Sequence, residues 1–299
     1  MKTDEASSTA FTVSQGIVFS GRYAPYKKYV PIPLIESNEL LLSSCRAGRK
    51  LLKQLNHPLY RLLLRIFEKL TLPGLALHYV LRKIFIEKCV REAIDMGAKQ
   101  VVILGAGFDT LALRLSEQFP SVKFIEVDHP ATSKEKFEAL SGQVDLSSNY
   151  SFAAVDFSQQ SLYDALSSDP IFNKTLYSVF VCEGVLMYLS KADVLRVLDG
   201  INLLSDKKKH LIFTALEPLD SNHNDSGWLL RLYLWFKQES LGWTCVQSHI
   251  SEFLEEHHYQ VVDTVGDLQI ARMMMPGLLR KRFHRGEYVV NSISHSSEG

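Results

Sequence analysis

The run Val101-Val102-Ile103-Leu104 leads directly into Gly105-Ala106-Gly107-Phe108-Asp109-Thr110, and no other feature of this 299-residue sequence restricts the fold as tightly. Four apolar residues with no polar residue among them read as a strand buried on both faces, as the central strands of a parallel sheet are. Glycines at the end of such a strand permit a tight turn and let a ligand approach the backbone. The apolar pattern over 111–117 then opens a helix, whose first N–H groups are free. Strand, glycine turn and helix together make the first unit of an open α/β sheet, which binds ligands at the carboxyl ends of its strands.

The rest of the chain agrees. Further strand patterns lie at Lys123–Asp128, 151–155, Ser178–Cys182 and 210–216, separated by helical patterns at 134–140, 162–166 and 192–204. This alternation predicts an α/β fold, a parallel sheet with helices on both faces. Apolar residues at helical spacing over 39–88, broken at Pro58 and Pro73, predict an N-terminal helical cap. After the polar run 221–226, Trp228, Leu232 and Trp235 fall at i, i+4 and i+7. That helix is either a core element or a lid over the mouth of the sheet, and as a lid it offers Trp228 and Trp235 to a substrate. A helix over 248–258 and strands at 261–265 and 287–293 complete the pattern. With no repeat or linker to divide it, the chain reads as one domain, 1–299: cap 1–88, core 89–218, lid helices 219–258 and C-terminal strands 259–299.

Composition narrows the function. With 46% apolar and 22% charged residues the chain is of globular type, and 33 basic against 33 acidic residues give no reason to expect nucleic acid as a partner. Cys45, Cys89, Cys182 and Cys245 are far apart and form no CxxC pair, so neither a zinc site nor a disulfide framework is expected. The first eight residues lack the basic start and apolar run of a secretory signal, and no apolar stretch approaches the length of a membrane span, which predicts a cytoplasmic protein. One local imbalance stands out. Residues 46–83 hold nine basic residues and the single acid Glu68, either a solvated face or a dock for an anionic membrane or protein.

Three segments carry chemistry. In the glycine turn, Thr110 stands where a dinucleotide fingerprint has its third glycine, and Asp109 adds negative charge where a pyrophosphate would lie, so a cofactor without phosphate is expected. Phe124-Ile125-Glu126-Val127-Asp128-His129-Pro130 ends the second strand with Asp128, placed to accept ribose hydroxyls or to cap the next helix; Glu126 shares its side of the strand. Phe180-Val181-Cys182-Glu183-Gly184 sets Glu183 inside an apolar run at the end of another strand, where an acid must be paired or functional.

The segments GAGFDT, FIEVDHP and CEGVLMYL, in this order and spacing, resemble the leucine carboxyl methyltransferase family of S-adenosylmethionine-dependent enzymes, including its bacterial small-molecule branch. The resemblance extends over about residues 8–293, and Ile103 replaces the acid that common methyltransferases carry two residues before the first glycine. It implies a Rossmann-like seven-stranded sheet with a helical cap, and S-adenosyl-L-methionine as cofactor. Arg82 is then the residue that meets the methionine carboxylate, Gly105 and Gly107 pass beneath the methionine portion, and Asp128 holds the ribose. Asp156 and Phe157 hold the adenine, and Glu183 faces the amino group. Eukaryotic protein-directed members carry a cation in the segment resembling Thr9-Ala10-Phe11-Thr12-Val13-Ser14, whereas here no lysine or arginine lies between Lys2 and Arg22, which favours a small-molecule acceptor. No metal is required and no catalytic base stands out: His129 sits near the ribose end, and Tyr188 is a poor base. Methyl ester formation on a carboxylate is therefore expected, with a hydroxyl or a protein C-terminal carboxylate as alternative acceptors. A nicotinamide-dependent oxidoreductase and a non-catalytic cofactor-binding scaffold are the competing classes.

Overall fold

The computed structural model describes residues 8–156, 160–167, 169–205, 208–224 and 241–294, with side chains from residue 11 onward. Phe157, Trp228, Leu232 and Trp235 lie outside the described residues. The apolar run forms β1 (Gln100–Leu104), buried at every position, an interior strand of a seven-stranded sheet. The other strands are β2 (Lys123–Asp128), β3 (Tyr150–Ala154), β4 (Ser178–Cys182), β5 (Lys209–Leu216), β6 (Tyr259–Val265) and β7 (Glu287–Ser294), in the order β3-β2-β1-β4-β5-β7-β6. The first five are parallel, and β7 runs antiparallel between β5 and β6. The late strands thus complete the sheet as a mixed one.

Period-two alternation divides the central strands between two cores. Val101, Ile103, Phe124, Val179, Val181 and Ile212 face one cluster, while Val102, Leu104, Ile125, Val127, Phe180 and Phe213 face the other. The first cluster is closed by α5 (Leu75–Asp95) and α6 (Leu111–Ser116), through Phe85, Ile86, Val90, Leu111 and Leu115. The second is closed by the helices 162–167, 191–204 and 250–255. Each such side chain contributes about 1.5–3 kcal/mol on burial, so the two-sided run 101–104 is strongly fixed in the sheet.

The cap comprises α1 (Ser8–Arg22), α2 (Ile32–Ser44), α3 (Arg46–Leu55) and α4 (Pro58–Thr71). Pro58 stands at the first position of α4, and Pro130 opens α7 (Pro130–Ser141), where the missing N–H costs nothing. The expected boundary at residue 88 is not a boundary. Helix α5 passes through it, its surface carrying the i, i+4 pairs Glu87–Arg91 and Lys88–Glu92, with no glycine or proline to stop it. A short helix at Asp267–Met274 was not legible, and the pattern over 248–258 resolves into a turn, the helix Ile250–Glu255, and His258 at φ 68°.

Candidate functional site

At the carboxyl end of β1 the chain reverses through Gly105 (φ 63°) and Gly107 (φ 49°), in the left-handed region that favours glycine. A Cβ on Gly105 would lie 2.4 Å from Val185 Cγ2, so the turn is constrained by conformation and by contact. The Gly107 amide donates to Asp128 Oδ2 at 2.5 Å and the His129 amide donates to Oδ1 at 2.6 Å. The Asp128 carboxylate therefore clasps the turns that follow β1 and β2. Burial pushes its pKa up, while the two amides pull against that. The cap of α7 is His129, whose Nδ1 accepts from the Ala131 amide at 3.4 Å. Gly105→Ala is expected to cost about 1–2 kcal/mol, the scale of a strained left-handed residue. Denaturant unfolding checks this, and a variant as stable as the parent would contradict the strain.

Two acids sit differently from the sequence expectation. Asp109 does not project charge towards a ligand: its Oδ1 accepts from the Thr110 and Leu111 amides at 2.6 and 3.1 Å and meets Lys83 Nζ at 2.9 Å. Burial opposes its ionisation, but Lys83, Arg114 and Lys136 outweigh burial and lower its pKa to about 2. Its effect is to occupy the start of α6, the place a phosphate would take. Glu126 does not approach the site either; it is buried against Lys136 Nζ at 2.5 Å, and that ammonium also donates to the Asp109 carbonyl at 2.5 Å.

The charged core of the site is built on α5, where His78, Arg82 and Lys83 fall within about a turn and a half and are all buried. Asp267 Oδ1 meets His78 Nδ1 at 2.8 Å, and His78 Nε2 meets Glu287 Oε2 at 2.8 Å. Arg82 Nη1 donates to Glu287 Oε1 at 2.7 Å and Arg82 Nε donates to Glu183 Oε1 at 2.8 Å. Lys83 Nζ then joins Glu183 Oε2, at 3.0 Å, to Asp109. Arg82 is divided between two glutamates; its Nη2 edge faces Gly184 (φ 67°), where a Cβ would stand 3.9 Å away with no other atom within 4 Å. The Gly184 amide donates to Thr214 Oγ1 at 2.8 Å.

Burial disfavours the charged imidazolium of His78, yet Asp267 and Glu287 more than offset burial and raise its pKa from 6.5 to about 9. A raised pKa stabilises the fold fully below the unfolded value and loses that contribution as pH rises through the folded one. The parent is therefore expected to lose stability between pH 6.5 and about 9, and His78→Gln to lack that decline. Equal slopes in unfolding experiments across this range would show that His78 is neutral.

Asp156 follows β3, half-buried, one residue after Val155, whose amide donates to the Asp128 carbonyl at 2.8 Å. The cap covers the turn, Phe11 of α1 lying 4.3 Å from Phe108 between ring centroids, and Ser37 and Asn38 of α2 donating to Thr110 Oγ1. Thus Arg82, Gly105, Gly107, Asp128 and Glu183 gather around the ends of β1, β2 and β4, with Asp156 beside them. His78, Lys83, Thr214 and Glu287 belong to the same cluster and were not singled out in the sequence; an acid opening the apolar strand Glu287–Ser294 was the one available signal. Among the described residues no group of His, Cys, Asp and Glu is arranged to hold a metal ion.

A family model for leucine carboxyl methyltransferase matches residues 42–202, more than half of the sequence. The chain belongs to the leucine carboxyl methyltransferase family. That stretch of the family pattern holds Arg82, both glycines, Asp128, Asp156 and Glu183, and excludes Glu287, Trp228 and Trp235. Bacillus subtilis YktD, provisionally named an S-adenosyl-L-methionine-dependent methyltransferase, is 31% identical over 144 residues, 45% of this chain and 46% of that protein. Leucine carboxyl methyltransferase 1 of Caenorhabditis elegans is 31% identical over 143 residues, 40% of this chain and 43% of that protein. The matched region spans about half the length of these family relatives or less. A Thermobifida fusca crystal structure, provisionally named a methyltransferase, shares the fold with TM-score 0.56 at 15% identity, over 91% of this chain and 98% of that one.

Proposed function

We propose that this chain is an S-adenosyl-L-methionine-dependent O-methyltransferase that forms a methyl ester on a carboxylate of a small molecule. The observation that carries the choice of cofactor is the arrangement of Asp109 and Asp128. One fills the helix start that a phosphate would need; the other ends β2 with a carboxylate that retains accepting capacity. Each Asp128 oxygen accepts one amide and keeps a second lone pair, enough for two ribose hydroxyls. The residues present fit the cofactor in its other parts too. The open edge of Arg82 Nη2 over Gly184 suits the methionine carboxylate, and Glu183 suits the ammonium. Asp156 is assigned to adenine, as is Phe157 on sequence grounds alone, and Trp228 and Trp235 are assigned to the acceptor on the same grounds.

When bound, the cofactor supplies a methyl group activated on sulfur. The protein's task is then to align a nucleophile with that methyl and to keep water away. A carboxylate acceptor is ionised at neutral pH and asks no base of the protein. That agrees with His129, whose Nδ1 is engaged with the Ala131 amide.

Similarity to the Caenorhabditis elegans relative raises a second acceptor, a protein C-terminal carboxylate. Against it, α1 offers no lysine or arginine before Arg22, and Arg22 is paired with Glu39 at 2.5 Å. Incubation of the protein with isotopically labelled cofactor and a cell extract separates the readings. A base-labile label on a small molecule is expected. A base-stable label would mean a hydroxyl acceptor, label confined to protein would favour the second reading, and no label despite cofactor binding would leave a scaffold.

A further inference from the structure

Helix α4 is amphipathic the wrong way round. Leu59, Leu62, Leu63, Ile66, Phe67 and Leu70 recur at i, i+3, i+4, i+7, i+8 and i+11, one continuous face, and each is 46–68% exposed. They are six of the sixteen large apolar side chains exposed among the described residues, and no residue of α4 is buried. The helix is held to the protein by Tyr60 and Leu64, half-buried against the core, and by its arginines. The Arg61 guanidinium stacks on the Tyr23 ring at 4.4 Å and donates to the Leu55 and Asn56 carbonyls, and Arg65 donates to the Tyr23 carbonyl at 2.7 Å. Such a ridge is on the scale of the roughly 300–600 Å² patches that usually have a function.

The flanks are cationic. Arg46, Arg49, Lys50 and Lys53 of α3 and Lys69 of α4 are exposed, while Glu68, the single acid of 46–83, is turned inward to accept from the Ala76 amide at 3.0 Å. Beyond the end of α4, Gly74 packs against the backbone of 282–284, where a Cβ would lie 2.9 Å from the Arg282 carbonyl. That contact brings the exposed Arg280, Lys281 and Arg282 beside the same helix.

We propose that this face lies on an anionic lipid surface, with the α4 ridge in the acyl boundary and the flanking cations at the headgroups. A second copy is disfavoured by charge, because a two-fold contact through the ridge would set cationic flanks against each other. No described helix is long and apolar enough to cross a membrane, so the contact is peripheral.

Flotation of the full chain with vesicles tests the proposal. Vesicles of phosphatidylcholine and phosphatidylglycerol in equal parts are expected to retain the protein about tenfold better than phosphatidylcholine alone, and the preference is expected to fade in high salt. Phe67→Glu, an exposed substitution, is expected to weaken binding by about tenfold or more while leaving Tm and S-adenosyl-L-methionine affinity unchanged. Failure to bind the anionic vesicles, equal binding by Phe67→Glu, or a solution dimer that Phe67→Glu converts to monomer would each overturn it, as would salt-insensitive binding to both vesicles.

Discussion

Glu287→Ala is expected to lower the stability of the fold by about 3–5 kcal/mol, the scale for removing one partner from a buried ionic pair. Glu287 accepts from Arg82 with one oxygen and meets His78 with the other, and it is the tie between β7 and α5. Its loss leaves buried Arg82 with Glu183 alone, which Lys83 shares, and buried His78 with Asp267 alone. Burial raises its pKa, but Arg82 and His78 pull it further the other way, well below the usual carboxylate range. That contribution is therefore complete above the unfolded value of 4.5 and is lost only as pH falls through the depressed folded value. Denaturant unfolding at neutral pH measures the loss. A loss below about 1 kcal/mol for Glu287→Ala, the value of a surface pair, would show that the cluster is solvated.

Asp128→Ala is expected to weaken S-adenosyl-L-methionine binding by about 1.5–3 kcal/mol, roughly ten- to a hundredfold, the scale of hydrogen bonds to a charged group. Because Asp128 also clasps Gly107 and His129, the variant loses some stability as well, and a control is needed. Glu126→Gln, two residues earlier on β2, removes a buried charge paired with Lys136 and is expected to lower stability without changing affinity. Equal affinity losses in the two variants would assign the effect to the scaffold and not to the ribose contact.

The sheet was legible because its central strands bury both faces. Gln100–Leu104, Lys123–Asp128 and Ser178–Cys182 stand at the predicted residues, since a short apolar run bounded by polar residues, broken in β2 by Glu126 alone, has one register. The boundary at residue 88 failed because side-chain spacing reports a helix face and says nothing of where a helix passes from cap to core. Site residues at strand ends were legible for the same reason as the strands. Charge partners were not. His78 and Glu287 are separated by 209 residues, and nothing local marks either as the other's counterpart. Asp109 shows the limit from another side: its position was right and its direction was not, since a carboxylate beside a helix start turns in to take the amides.

The most direct measurement is calorimetric titration of one preparation with S-adenosyl-L-methionine, with its demethylated product S-adenosylhomocysteine, and with NAD. A site with the helix start filled by Asp109 and a free accepting edge on Asp128 is expected to bind the first two and to give no heat with NAD. Binding of NAD, or of none of the three, would contradict it.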